Sequence, residues 1–388
     1  MNRVYLDNCL TTKPDPKILN VMMPYLTEQY YYPGNFVSTG SKAKADLQQF
    51  RSVIGQSINA LPEEIHLTSG GTVANNIAIK GFIMANAQKG NHIICSTIDY
   101  PDILTHAAFF ENSGFEVTYL SADHDGFVNL DELKQAINDN TILVMTTLAN
   151  HVLGTIQPIA QIKEVMNRAN PKTALFVDAG HAYGRMFIDV KALDITMLSL
   201  SGHKIHGPQG AGALYVKKGT AIAQTMHGVS RADDLFTGGI SMANIAGMCK
   251  AVEIMFADLD KHISHMRDMQ DYLLTGIQNK LERISVNGPL GEHRICHNLN
   301  ISVEDVEGEA ITMLLDINGI TVATGSACAS QGLKPNYILM ATGRSFTQSH
   351  GSIRFTISRM TTREEIDYTI EKFAESVNKL RKMSPFAN

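Results

Sequence analysis

The chain has no apolar run near the roughly 20 residues needed to span a bilayer. Its longest, such as Thr141 to Leu148 and Ile195 to Leu200, are the length of buried strands, so no membrane partner is expected. The opening M-N-R-V-Y-L-D carries no signal-peptide pattern, which points to a cytoplasmic protein. Basic residues form no block, and 33 Lys plus Arg against 38 Asp plus Glu leave a net charge of -5. That charge balance argues against a nucleic-acid partner. Cysteine is scarce and scattered: Cys9, Cys95, Cys249, Cys296 and Cys328 form no C-x-x-C pair. Neither a disulfide framework nor a zinc knuckle is suggested, no metal is expected, and any thiol chemistry must rest on a single cysteine. Low-complexity linkers and internal repeats are also missing.

What remains is a chain of 388 residues, 44% hydrophobic and 18% charged, long enough for two domains with a sizeable core. From about Glu64 to Tyr215, short β-rich runs at 65–68, 92–96, 116–120, 141–146, 174–178, 195–200 and 213–216 alternate with amphipathic stretches. Apolar strands separated by helices require crossover connections, hence a mainly parallel α/β sheet of seven strands. Such sheets place ligands at the carboxyl ends of their strands. Between Ser241 and Ile284 apolar residues recur at steps of three and four, predicting one long helix or two collinear ones. Residues 285–388 then read as a smaller α+β domain, closed by a helix with a capping box from Thr361 to Glu364. With the end of the long helix included, the division becomes 15–255 for the large domain and 256–388, with 1–14, for the small one. Two tempting motifs fail: D-H-D-G at 123–126 brings its glycine too early for a calcium loop and predicts a turn. G-P-Q-G-A-G at 207–212 has the wrong glycine spacing for a dinucleotide loop.

Three features converge on one sheet edge. Lys204, in S-G-H-K-I-H-G, follows a strand end, where a desolvated amine can form a Schiff base. Asp178 ends A-L-F-V-D in the same way; it could face a pyridinium nitrogen or simply cap the next helix. Thr68-Ser69-Gly70-Gly71-Thr72 precedes a helical pattern over 74–87 and predicts a phosphate cradle.

In these segments, and in Y-L-D-N-C-L-T-T-K-P (5–14), T-G-S-A-C-A-S (324–330), G-S-I-R-F-T (351–356) and T-T-R-E-E-I-D-Y (361–368), the chain resembles the cysteine desulfurases. These are enzymes of the class V aminotransferase fold that depend on pyridoxal 5'-phosphate (PLP). The resemblance implies a fold-type I architecture and a homodimer. It implies that Lys204 carries PLP, that Asp178 pairs with the ring nitrogen, and that Gly71, Thr72, Ser201 and His203 hold the phosphate. Arg354 and Asn35 would clamp the substrate carboxylate, a bidentate task suited to guanidinium. Cys328, within a run of small residues, would take sulfur from L-cysteine as a persulfide and pass it to an acceptor or scaffold protein for iron-sulfur cluster or thio-cofactor assembly. The other four cysteines read as structural. A selenocysteine lyase, a cysteine β-lyase and a PLP-binding paralogue of low activity are the alternatives.

The chain departs from the family pattern at several positions. The ring-stacking histidine falls at Tyr100, and the asparagine and glutamine near the ring hydroxyl fall at His151 and His181. The partner-subunit loop R-S-G-T reads Phe236-Thr237-Gly238-Gly239. Tyrosine can stack on a pyridine face, but a phenol of pKa about 10 shuttles protons poorly near neutrality, so slowed proton transfer is expected.

Overall fold

The structure is a computed structural model describing residues 3–228, 235–325 and 335–383. The strands, in chain order, are β1 (Val4–Tyr5), β2 (Ile65–Thr68), β3 (His92–Ser96), β4 (Glu116–Leu120), β5 (Thr141–Thr147), β6 (Ala174–Asp178), β7 (Met197–Ser201), β8 (Gly212–Val216), β9 (Ile284–Val286), β10 (Asn298–Val303), β11 (Ile320–Thr321), β12 (Ala323–Thr324) and β13 (Ser352–Thr356). The α-helices are α1 (Lys17–Thr27), α2 (Ser38–Gln56), α3 (Gly71–Asn86), α4 (Pro101–Glu111), α5 (Leu130–Ala136), α6 (Ile159–Ala169), α7 (Met242–Ala257), α8 (Leu259–Gln278), α9 (Gly308–Ile317), α10 (Tyr337–Ala341), α11 (Phe346–His350) and α12 (Arg363–Met383).

Strands β2 to β8 form the seven-stranded sheet in the order β2-β8-β7-β6-β5-β3-β4. All neighbours run parallel except β8, which is antiparallel to both β2 and β7. The central strands are buried on both faces, as their uninterrupted apolar sequences require. Successive residues serve opposite layers: Ile94, Val144, Leu175 and Leu198 join α2, α6 and α7. Ile93, Leu143, Phe176 and Met197 join α3 and α4. The fold is therefore a three-layer α/β/α sandwich.

A second sheet, β12-β13-β10-β9, is antiparallel throughout. Its core combines Leu299, Ile301, Ile353 and Phe355 with Leu273 and Ile277 of α8 and Ile366, Phe373 and Val377 of α12. Val4 and Leu6 belong to this cluster too. A few residues on, Thr12 donates its hydroxyl to the His203 carbonyl at 2.8 Å. The N-terminal segment thus strings the small sheet to the end of β7.

The long helical stretch takes the two-helix form, one of the two expected, with α7 and α8 parted at Asp258, whose φ of -135° and ψ of 40° leave the helical region. Other local details differ from the sequence expectations. The last helix is capped one residue later than expected. Thr362 N donates to Glu365 Oε2 at 2.9 Å while Glu365 N donates to Thr362 Oγ1 at 3.3 Å. Thr361 cannot serve, because its buried hydroxyl already accepts from Ser358 N at 3.0 Å. Helix α3 begins at Gly71, three residues early, and β7 begins at Met197 because Ile195 closes a turn with Val190. D-H-D-G is the expected turn, with Gly126 at φ +83° and Gly126 N donating to Asp123 O.

Candidate active site

The carboxyl ends of β2, β3, β5, β6 and β7 deliver Gly71, Tyr100, His151, Asp178 and Lys204 to one edge. Lys204 closes a tight turn in which Gly202 N donates to Ala211 O and Gly207 N returns to Gly202 O. A Cβ on Gly207 would come within 2.7 Å of the Gly202 carbonyl, so only glycine lets the chain double back there. Lys204 is buried, and its Nζ donates to the carbonyls of Cys9 and, at 2.8 Å, Leu10. Burial, reinforced by Arg185 and Arg354, holds its amine below the ordinary lysine range, while Cys9 and Asp178 pull the other way. A shift in that direction favours the nucleophilic free amine.

Asp178 is buried, and its two oxygens accept from Gly180 N at 2.8 Å and Asn75 Nδ2 at 2.9 Å. Burial raises its pKa, opposed by those two donors. A cation beside it would be strongly favoured. Between Lys204 and α3 lies a cavity of about 460 Å³ lined by Thr11, Gly71, Thr72, His203 and Gly210. Its α3 end offers backbone N–H groups that have no intrahelical partner by position. Gly70, at φ +146°, turns the chain into that helix. A Cβ on Gly212 would lie 2.6 Å from the Gly70 backbone, so β8 presses directly against the loop. Buried Ser201 faces Gly71 across the cradle, and His203 Nδ1 lies 3.1 Å from Thr11 Oγ1. Burial and Lys204 push His203 down to about 4, leaving a neutral cup of N–H groups and hydroxyls. Amine, carboxylate and anion cradle together fit PLP.

On the facing side, Arg354 of β13 donates Nη2 to Asp7 Oδ1 at 3.0 Å and Nη1 to the His151 carbonyl at 3.1 Å. Its buried Nε has no partner among the described residues. Burial opposes its charge, but Cys9 and Asp7 raise its pKa above the usual arginine value. Tyr100, His151 and His181 make one aromatic cluster. The His151 and His181 rings stack at 5.5 Å, and the Tyr100 centroid lies 4.9 and 5.2 Å from them. Burial drives His151 down to about 3, helped by Arg354 and Lys204, and His181 well below its ordinary range. Burial, then Asp102 and Asp178, pushes the Tyr100 phenol up to about 12.

Not every expected residue joins this group. Asn35 lies exposed ahead of α2, its side chain accepting from Val37 N at 3.4 Å, and no hydrogen bond ties it to Arg354 among the described residues. Thr237 is buried, its hydroxyl donating to Met226 O at 3.0 Å, and Phe236 packs on the α3–α4 layer. Cys328 lies outside the described residues. A larger open groove of about 1000 Å³ between α2, α7 and α8 contains none of these groups.

Four site residues escaped the sequence reading. Asn75 links Asp178 to Asp102 through one amide, donating to both at 2.9 and 3.2 Å. Its place one turn into α3, on the side facing β6, was the available signal. Asp7 holds Arg354 across 347 positions, and Arg185 holds the Lys204 carbonyl across 19, spacings that carry no local pattern. Cys9, read as structural, is buried as expected, but its Sγ lies 3.2 Å from His181 Nδ1.

Comparison with known proteins agrees with this geometry. The family model described as Aminotransferase class-V matches residues 4–369. A Dictyoglomus turgidum protein named Cysteine desulfurase IscS is 37% identical over 99% of this chain and 96% of its own length. A Methanosarcina thermophila protein of the same name is 39% identical over 98% and 94%. Among solved structures, a NifS-like protein superposes with a TM-score of 0.91 at 29% identity, covering 97% of this chain and 100% of that one. A structure described as SspA in complex with cysteine reaches 0.80 at 27% identity, over 92% and 100%. The chain belongs to the class V aminotransferases, a PLP-dependent family, and within it to the cysteine desulfurases.

Proposed function

We propose that this chain converts L-cysteine to L-alanine and transfers the sulfur to Cys328 as a persulfide, for delivery to an acceptor protein in iron-sulfur cluster or thio-cofactor assembly. The observation that carries this reading is the meeting of Lys204, Asp178 and Arg354, from three distant segments, around one cradle. PLP, when bound, supplies an electron sink for the substrate's α-carbon. Lys204 holds the cofactor and takes the α-proton. Asp178 keeps the ring nitrogen charged, and Arg354 fixes the substrate carboxylate, with Asp7 and the His151 carbonyl aligning its guanidinium. Gly71, Thr72, Ser201 and His203 hold the phosphate. The Cys328 thiolate attacks the substrate sulfur as the carbon–sulfur bond breaks, so that cysteine plus thiol becomes alanine plus persulfide.

The protein works as a homodimer. Leu19, Met23 and Leu26 lie three or four residues apart on α1 and are exposed at 56%, 51% and 61%, an apolar face suited to a second copy. The cytoplasm, where thiols stay reduced, is its site of action, in keeping with Cys9, Cys95, Cys249 and Cys296 all being free. None of the described helices is long and apolar enough to cross a membrane. Residues 15–255 form the PLP-binding domain, and 256–388 with 1–14 the smaller one.

Incubation of the pure protein with L-cysteine and a reductant should yield alanine and sulfide without pyruvate. Pyruvate with ammonia would instead identify a β-lyase. Cys328→Ser should keep the yellow colour and lose the persulfide; undiminished alanine from that variant would remove Cys328 from the mechanism.

A further inference from the structure

We propose that Cys9 is a positioning residue of this pocket, its sulfur bridging the His181 ring and the His151 carbonyl so that a neutral His181 presents a bare Nε2. The inference rests on the desulfurase reading and extends it to a thiol that reading does not use.

Cys9 Sγ lies 3.2 Å from His181 Nδ1 and 3.5 Å from the His151 carbonyl oxygen. Its main chain is held on both sides, the N–H donating to Thr356 Oγ1 at 2.9 Å and the carbonyl accepting from Lys204 Nζ. The side chain is 3% exposed, so the sulfur cannot turn to solvent for another partner. The His151 carbonyl only accepts, here also from Arg354 Nη1 and Asn298 Nδ2 at 3.1 and 3.2 Å, so with both sulfur contacts made at once the single thiol proton goes to that oxygen. The hydrogen between sulfur and imidazole must then come from Nδ1. A neutral imidazole carries one N–H, which leaves Nε2 as a lone pair. Among the described residues no hydrogen bond engages that nitrogen. Burial, with Lys204, His151 and Arg185 close by, keeps the ring neutral.

The order of the chain, N–H to sulfur to carbonyl, satisfies every group in it. The ring plane is fixed separately, by stacking on His151. Cys9 thus selects the tautomer, and stacking selects the orientation. The pocket gains a hydrogen-bond acceptor near Lys204 where a side-chain amide would have offered both a donor and an acceptor.

Removing the sulfur strands a buried N–H, and His181 regains a partner only by changing tautomer or rotating. Serine keeps one donor and one acceptor at nearly the same place. In the holoenzyme, ¹⁵N spectra of histidine-labelled protein, with His181 assigned by a His181→Gln variant, should show the Nδ1–H form in the native protein and in Cys9→Ser. Cys9→Ala should show the Nε2–H form. In Cys9→Ala, kcat should fall roughly tenfold with KM for cysteine within about twofold, and Cys9→Ser should restore most of the loss. An Nε2–H form in the native protein, or equal losses in the two variants, would overturn the proposal. So would a persulfide on Cys9 in peptide mass spectra, which would make it a sulfur acceptor. Failure of the native holoenzyme to form alanine would sink the desulfurase reading instead, while the tautomer comparison would still decide the role of Cys9.

Discussion

The two walls of the pocket are built on different physical grounds. The wall of Lys204, Asp178 and Gly71 consists of charged or donor groups, each held by backbone at a strand end: carbonyls under the amine, N–H groups under the carboxylate, a helix terminus in the cradle. The wall of Tyr100, His151 and His181 consists of buried rings held by one another, all displaced from any proton exchange near neutrality. The first can bind and activate a cofactor whatever the second contains. On the proposed reading the second would set how fast protons move once substrate is bound, and it is there that the resemblance implies histidine, asparagine and glutamine in place of Tyr100, His151 and His181.

Lys204→Ala should break the first wall outright. The visible band should vanish and alanine formation fall by at least about a thousandfold, with borohydride reduction of the native enzyme placing its label on Lys204. A label elsewhere would refute the assignment. Arg354→Ala should come next, raising KM rather than changing colour. Truncating one member of a desolvated charged pair costs on the order of 2 to 5 kcal/mol, and steady-state kinetics with an unchanged KM would refute the clamp.

A smaller effect separates the walls most sharply. Tyr100→His should leave cofactor binding intact and speed turnover by about tenfold, because imidazole titrates near neutrality and phenol does not. The buried His151 and His181 are ill suited to carry that traffic themselves. Stopped-flow spectra of both proteins between about pH 6 and 9 would decide; fast native turnover with no accumulating species would remove the premise.

The last effect is on stability rather than on turnover. His151 and His206, buried and depressed to about 3 and 4, are neutral in the native state but accept a proton near 6.5 when unfolded. Their contribution is complete above about pH 6.5 and is lost as pH falls through that range toward the folded values. At pH 5 each destabilises the native state by about 2 kcal/mol relative to pH 7. Thermal midpoints should therefore drop between pH 7 and 5, and His206→Gln should flatten the drop.

Much of this was legible along the chain. The seven strands could be located because each is a short apolar run between helical patterns, and central parallel strands are buried on both faces. Lys204, Asp178 and Gly71 could be found because strand ends and helix starts leave a local mark. Helix boundaries were less legible: Thr361 and Thr362 are equally good caps by composition, and only the prior bond of Thr361 to Ser358 decides between them. Asn35 was assigned by resemblance, and the structure turns its side chain toward Val37.

By itself the sequence determined the α/β layering and the lysine and carboxylate at the strand ends, since periodicity and strand-end chemistry are local properties; Tyr100, His151 and His181 were singled out by resemblance. Only the tertiary structure decided that Asp7 aligns Arg354, that Asn75 serves Asp178, and that Cys9 lies against His181 rather than in the core. Those pairs are separated by 347, 103 and 172 positions. The distances between their side chains depend on how a parallel sheet and the N-terminal segment close on each other, and no spacing along the chain encodes that.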